Sequence, residues 1–358
     1  MAPKSLARKP RRRYFSPVNL SVHHALILTL GIIAAPVCGG TSSNQTAGST
    51  APAPAVTGAP ETARVATAPV PAPDPATTAA LQAALDRYGF GVGFVDGKAG
   101  PRTEQAFRDY LRATGLSTRE ARQHLLDDDA AVTPYAVTGS DLARVGSAPE
   151  DWLEAAAVPA MTYRALDEAL AEKFHVSRPW LQRLNPGITN WAAVTPGTRV
   201  DVPNTRPEDW TLPASRLEVD CATYRLRVYD ADNDLVASFP CSIARQLHKV
   251  PTGDLTIVSF APNPNYTFDP ANFPESPRAR DIGRKLIIPP GPRNPVGVYW
   301  LTLSAAGFGM HGTPRPETIG RRESHGCFRL TNWDITTLAR MVGVGTPVRV
   351  VGLTPGAE

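Results

Sequence analysis

A stretch that cannot fold divides this chain. Residues 41–76 are built from Ser, Thr, Ala and Pro with hardly a large apolar side chain, so no burial offsets the entropy lost on ordering them. Its repeated Ala-Pro steps favour an extended, semi-rigid spacer. Any core must therefore lie after residue 76. What remains is long for one core, and 36 prolines and 28 glycines among 358 residues point to several loop-rich units.

Ahead of the spacer, charge and hydropathy are segregated. Lys4, Arg8, Lys9, Arg11, Arg12 and Arg13 precede the apolar run 25–35, and the small residues Cys38-Gly39-Gly40 follow. This is the layout of a secretory signal peptide over residues 1–40, and its apolar run is short of the roughly 20 residues a membrane span needs. An uncleaved anchor is the alternative. Arg12-Arg13-Tyr14-Phe15 resembles part of a twin-arginine signal, whereas Ala35-Pro36-Val37 before Cys38 is a poor match to a lipid-attachment site. The basic cluster accounts for the net charge of +4, and the rest of the chain is close to balance, which leaves no nucleic-acid footprint. In an oxidising compartment Cys221 and Cys241, flanking a hairpin that turns at 230–233, are candidates for a disulfide; Cys327 then remains as an unpaired thiol.

Three segments after the spacer carry folding patterns. Over 77–130, Leu81, Ala84, Leu85 and Tyr88 have helical spacing, and Gly89 closes that helix. Pro101 opens a second helix with Ala106, Phe107, Tyr110 and Leu111 on one face, and Gly115 ends it. Ser117-Thr118-Arg119-Glu120 reads as a capping box for a third. Over 131–205, a short strand at 135–137 and another at Val200 and Val202 flank two helices, one with Leu166, Ala169, Leu170 and Phe174, the other capped by Ser177 and stopped at Asn185-Pro186. Over 214–353 the pattern is mainly β: Leu217/Val219, Leu226/Val228 and Leu235/Ala237/Phe239 alternate with polar residues, and further apolar runs lie at 255–258, 286–288, 298–303 and 348–351. One helix, 334–342, closes the pattern, and the proline-rich connection 261–295 is long enough to predict a lid on the substrate side, with a rigid surface excursion as the alternative.

The chemistry concentrates near the C-terminus, in Gly309-Met310-His311-Gly312-Thr313-Pro314 and Glu323-Ser324-His325-Gly326-Cys327-Phe328-Arg329-Leu330. A thiol attacks well only as thiolate, which needs a base or cation beside it, and small flanking residues admit a substrate backbone. Both histidines are candidates for that base. His325 shares a strand face with Cys327 at i and i+2 but is a strained partner, while His311 ends its own apolar run and can approach from an adjacent strand. A zinc site formed by His311, His325 and Cys327 is a weaker alternative, since no tight ligand pair and no fourth ligand are present.

These blocks resemble known families. Leu81-Gln82, Tyr88-Gly89-Phe90, Val95-Asp96-Gly97, Gly100-Pro101-Arg102-Thr103 and Ala106-Phe107 are similar to a small all-α peptidoglycan-binding bundle, with Phe107-Arg108 where aromatic-Gln is usual. Leu184-Asn185-Pro186 and Pro196–Pro203 resemble a small α+β LysM glycan-binding module, interrupted around 139–163. His311-Gly312-Thr313, Ser324-His325-Gly326-Cys327 and Arg329, with Pro251-Thr252-Gly253, Asn263-Pro264, 288–292 and 294–297, resemble the mainly-β catalytic domain of YkuD-type L,D-transpeptidases. The resemblance implies a multidomain exported enzyme, without cofactor or metal, bound to peptidoglycan in the periplasm or cell envelope. Its partners would be stem peptides and glycan strands, and it would meet the membrane only through its export signal or anchor. Cys327 would attack the carbonyl after the third stem residue, the terminal D-alanine would leave, and a second stem's amine would resolve the thioester as a 3→3 cross-link. His311 would move the proton, with the Gly312 carbonyl orienting it. Backbone N–H groups of Gly326 and Cys327 would hold the oxyanion, His325 and Ser324 would shape the turn, and Arg329 and Thr313 would bind substrate. Water or a protein lysine as acceptor, and a catalytically dead wall-binding protein, are the other readings.

Overall fold

The computed structural model describes residues 74–127 and 130–353. The expected signal peptide, Cys38 and nearly all of the spacer lie outside these. Helix α1 (Pro75–Arg87) starts at a proline that needs no amide partner, and Asp74 caps it by accepting from Thr77 N at 3.0 Å. The left-handed Gly115 ends α2 (Pro101–Thr114), and the reciprocal Ser117–Glu120 bonds start α3 (Thr118–Asp127). Gln82, buried, ties this unit's loop: its oxygen accepts from Asp96 N and Gly97 N, each at 2.9 Å, and its amide donates to Asp96, Lys98 and Thr103. That accounts physically for a glutamine and an Asp-Gly step fourteen residues apart.

Next come β1 (Val132–Ala136), two short helices α4 (Gly139–Ala143) and α5 (Trp152–Ala157), then α6 (Leu166–Lys173), α7 (Arg178–Leu184) and β2 (Arg199–Pro203), which pairs antiparallel with β1. The interruption at 139–163 is thus partly helical. The C-terminal part holds β3 (Arg216–Asp220), β4 (Arg225–Tyr229), β5 (Leu235–Pro240), β6 (Ile243–Ala244), β7 (Asp254–Pro262), β8 (Tyr266–Phe268), α8 (Pro277–Ile282), β9 (Leu286–Ile288), β10 (Tyr299–Leu303), β11 (Gly309–His311), β12 (Arg322–Ser324), β13 (Phe328–Arg329), α9 (Asn332–Met341) and β14 (Pro347–Val351). Eight of these strands form one sheet in the order β13-β11-β10-β7-β14-β3-β4-β5, and α9 packs on its β10–β11 region. Leu217, Val219, Leu226, Val228, Ile257, Leu301, Met310, Phe328, Ile335 and Leu338 fill the core.

The sequence boundaries are not packing boundaries. Strand β4 is buried at every position, although Arg225 and Arg227 alternate with its apolar residues. Helix α2 covers that face, and Asp109 accepts from Arg225 Nε at 3.1 Å and Arg227 Nε at 2.8 Å. Tyr229 and Leu235 of the sheet complete the apolar cluster of the first three helices. At a second seam Asp86 of α1 meets His175 Nδ1 at 2.8 Å, and Arg206 bonds Asp334 of α9 at 2.8 Å, all buried. The proline-rich excursion 261–295 is anchored too: Trp152, Ala155 and Met161 pack against Phe268, Ala279 and Ile288. It forms a braced wall, with Trp152 stacked on Phe268 at 4.5 Å between ring centres. Cys221 and Cys241 are free and buried, contrary to the disulfide considered from sequence. No helix among the described residues is long and apolar enough to cross a membrane.

Candidate active site

Strands β11 and β13 run parallel with Met310 opposite Phe328 and His311 opposite Arg329. Met310 and Phe328 are fully buried in the core, so the two-residue period turns His311, Cys327 and Arg329 to the other side. That side lines a cavity of about 1430 Å³, which also takes in Tyr266, Phe273, Arg293 and Trp300. The space exceeds the roughly 300–1,000 Å³ of a small-molecule pocket and suits a branched or extended substrate.

His311 is buried, and its Nδ1 lies 2.7 Å from the carbonyl oxygen of Gly312. A carbonyl only accepts, so Nδ1 carries the hydrogen and Nε2 keeps its lone pair. Burial, with the Arg329 guanidinium alongside, lowers the imidazole's pKa to about 3, against the opposing Gly312 bond. The ring is therefore neutral at ordinary pH. Trp300, opposite His311 on β10, stacks on it at 5.3 Å and 11°. Gly309 leaves room for that indole, since a Cβ there would stand 2.6 Å from it. Burial also pushes the Cys327 thiol up, although a Gly309 backbone bond and Arg329 favour the thiolate. The resting pair is neutral thiol and neutral imidazole.

The turn before Cys327 is locked by Ser324, whose hydroxyl donates to the Cys327 carbonyl at 2.6 Å and accepts from Gly326 N at 3.2 Å. Of the two backbone N–H groups expected to face an oxyanion, that of Gly326 thus donates within the turn. A side chain at Gly326 would meet Phe308 at 2.8 Å. His325 is exposed, lines the same cavity and rests edge-on against Phe273, 5.7 Å between ring centres. Among the described residues no group of His, Cys, Asp or Glu is arranged to hold a metal ion. Thr313 lines the cavity, but its hydroxyl accepts from Arg315 N at 3.2 Å, so it also serves its own turn. Arg329 is partly buried, and its Nε has no hydrogen-bond partner. Sequence reasoning missed Trp300 and the adjacency of Arg329 to His311. The first was signalled only by its alternation with Leu301, and the second depends on a parallel pairing that spacing does not reveal.

A family model for the L,D-transpeptidase catalytic domain, YkuD, matches residues 214–350. YkuD of Bacillus licheniformis is 32% identical over 183 residues, 51% of this chain and 92% of its own length. YkuD of Bacillus subtilis is 27% identical over 183 residues, 51% of this chain and 91% of its own. "Probable L,D-transpeptidase ErfK/SrfK" of Escherichia coli is 32% identical over 180 residues, 46% of this chain and 56% of its own. The matched span contains every strand of the large sheet except the last residue of β14, and with them the buried imidazole at the end of β11 and the thiol just before β13. With a buried neutral imidazole and a thiol on one cavity-facing side of that sheet, the chain belongs to the YkuD family of L,D-transpeptidases.

Proposed function

We propose that this L,D-transpeptidase acts on peptidoglycan stem peptides through Cys327 as nucleophile and His311 as its base. The observation that carries the assignment is the β11–β13 register, which sets the buried imidazole, with one nitrogen free, on the same cavity-facing side as the thiol. As Sγ attacks the carbonyl after the third stem residue, the thiol proton passes to His311 Nε2. The Gly312 carbonyl holds the opposite nitrogen and favours the imidazolium that forms. Cys327 N–H would face the developing oxyanion. Collapse breaks the carbon–nitrogen bond, and His311 returns the proton to the departing D-alanine amine. The thioester is then attacked by a second stem's amine, whose proton passes through His311 to the leaving sulfur. A 3→3 cross-link results.

Arg329, with its Nε unpartnered, would pair with a stem carboxylate. The first helical unit and the LysM-like unit would bind the insoluble wall, and the chain would act in the envelope after export. Incubating the protein with disaccharide-tetrapeptides and reading products by mass spectrometry tests the reaction. Cross-linked dimers are expected, whereas trimmed tripeptides alone would assign water as the acceptor. Cys327→Ala should form no product while still binding sacculi; surviving turnover would remove Cys327 as nucleophile.

A further inference from the structure

The free nitrogen of His311 depends on where the Gly312 carbonyl points, and that carbonyl belongs to a turn with no slack. A Cβ on Gly312 would stand 2.2 Å from Asn332 Oδ1, and one on Gly297 would stand 2.1 Å from the same atom. Asn332, buried at the start of α9, therefore fills the space against both backbones. Its Oδ1 accepts from Val298 N at 3.3 Å, and its amide donates to Pro292 O at 3.0 Å. A second bond from that amide leaves the catalytic sheet altogether. It is shared between Glu172 Oε1 at 3.1 Å and Oε2 at 3.2 Å, and Glu172 lies on α6, outside the span that matches the family model. Tyr163 holds that carboxylate from the far side, donating to Oε1 at 2.6 Å and receiving Arg144 Nη2 at 3.1 Å.

The amide of an asparagine can be turned over, exchanging donor and acceptor ends. Here the Pro292 carbonyl at its NH₂ end only accepts and the Val298 N–H at its oxygen end only donates, so the flipped amide would set like against like; Glu172, whose carboxyl burial pushes up to about 7, adds a further acceptor at the NH₂ end when ionised. We propose that Glu172 is a positioning residue for His311: by fixing Asn332 it holds the Gly312 turn and thereby the imidazole tautomer with Nε2 free. The inference rests on His311 being the base. It makes the amino-terminal part a component of the active centre as well as a candidate wall anchor. Two further ties hold the same surfaces together: Met161 N donates to Pro290 O at 2.8 Å, and Arg293 pairs with Glu168 of α6.

The test compares the full-length protein with Glu172→Ala and Glu172→Gln. The ¹⁵N shifts of the His311 ring report the tautomer directly. Wild type should show a single form with hydrogen on Nδ1. Glu172→Ala should give mixed tautomers and a kcat lowered about tenfold at nearly constant KM, since displacing a reacting group by about 1 Å costs up to about a hundredfold. Glu172→Gln, similar in size, keeps one acceptor but turns a donor toward the Asn332 amide, and should fall between the two. Should Glu172→Ala fail to fold, Glu172→Gln decides. A wild-type tautomer in the folded variant overturns the proposal, whatever its kcat. If wild type itself makes no product, the reaction assignment falls, and the ring shifts still decide the role of Glu172.

Discussion

His311 and Arg329 are neighbours across two parallel strands, and that adjacency sets the charge of the site before any substrate arrives. A histidine whose pKa is lowered to about 3 by burial and then by Arg329 gains no proton between pH 5 and 7. The acid limb of kcat/KM in that range should therefore not come from free His311, and its ring proton shifts should stay constant there. Arg329→Gln should raise the titration toward, but not to, the ordinary value, because burial remains the larger cause. The linkage sign follows: the unfolded chain binds a proton at this residue near pH 6.5 and the native one only near 3. This group's contribution to stability is thus full above 6.5 and declines as pH falls from there toward 3. Of these residues, Cys327 and His311 were legible in sequence because a thiol and a histidine among glycines have few other uses. The Gly312 carbonyl as orienting group was legible from the resemblance. Trp300 and Glu172 were not, since an aromatic in a strand and a glutamate on a helix ordinarily mean packing and solvation.

At the scale of elements, the short strands β11 and β13 matter more than their length suggests. Each has one core anchor, Met310 or Phe328, and the functional side chains follow from the pleat. A single-residue slip would turn the imidazole into the core and Met310 toward the cavity. Gly312 then sets the fit between β11 and α9. Gly312→Ala places a methyl 2.2 Å from Asn332 Oδ1, which must move. We expect a loss of about 1–3 kcal/mol in urea unfolding, typical of overpacking, and a larger proportional loss of kcat. Wild-type kcat in a folded Gly312→Ala variant would show that the Asn332 contact tolerates displacement. The longer strands of the sheet were readable from alternation, and the three amino-terminal helices from spacing and caps. Strands β6, β8, β12 and β13, two or three residues each, carry too few positions for any period to register. The alternation of β4 reads as a strand, and its polar face meets Asp109, which only the tertiary arrangement shows.

For the whole molecule, charge is invested at the seams. Asp109 pairs with two buried arginines; Arg227 keeps Asp220 and Glu218 without it, but Asp109→Ala would strand Arg225, at a cost of about 3–5 kcal/mol in denaturant unfolding. A loss below about 1 kcal/mol would mean that water reaches Arg225. Asp86 behaves as a second seam lock. Burial raises its pKa, but His175 and Arg206 outweigh that and hold it at about 2. Its contribution is present above pH 3.8 and is lost as pH falls through about 2. The resemblance of the amino-terminal units to wall-binding modules predicts that removing 77–205 weakens wall binding more than turnover of soluble substrates. The packing predicts that the truncated chain loses turnover as well, since Arg225 would lose Asp109 and the Gly91 carbonyl, and Asn332 would lose Glu172.

The bond from Arg225 to the Gly91 carbonyl joins residues 134 apart. During synthesis the first helices emerge long before the β4–β5 hairpin that supplies Tyr229 and Leu235 to their apolar cluster. They wait with that face uncovered, and non-local closure of this kind is slow. A chain cut short before residue 225 would display the same uncovered face permanently, and so mark itself for proteolysis. The interlocking of the amino-terminal helices with the sheet thus acts as a proofreading step on completeness, because an apolar surface stays hidden only when the carboxy-terminal half has arrived.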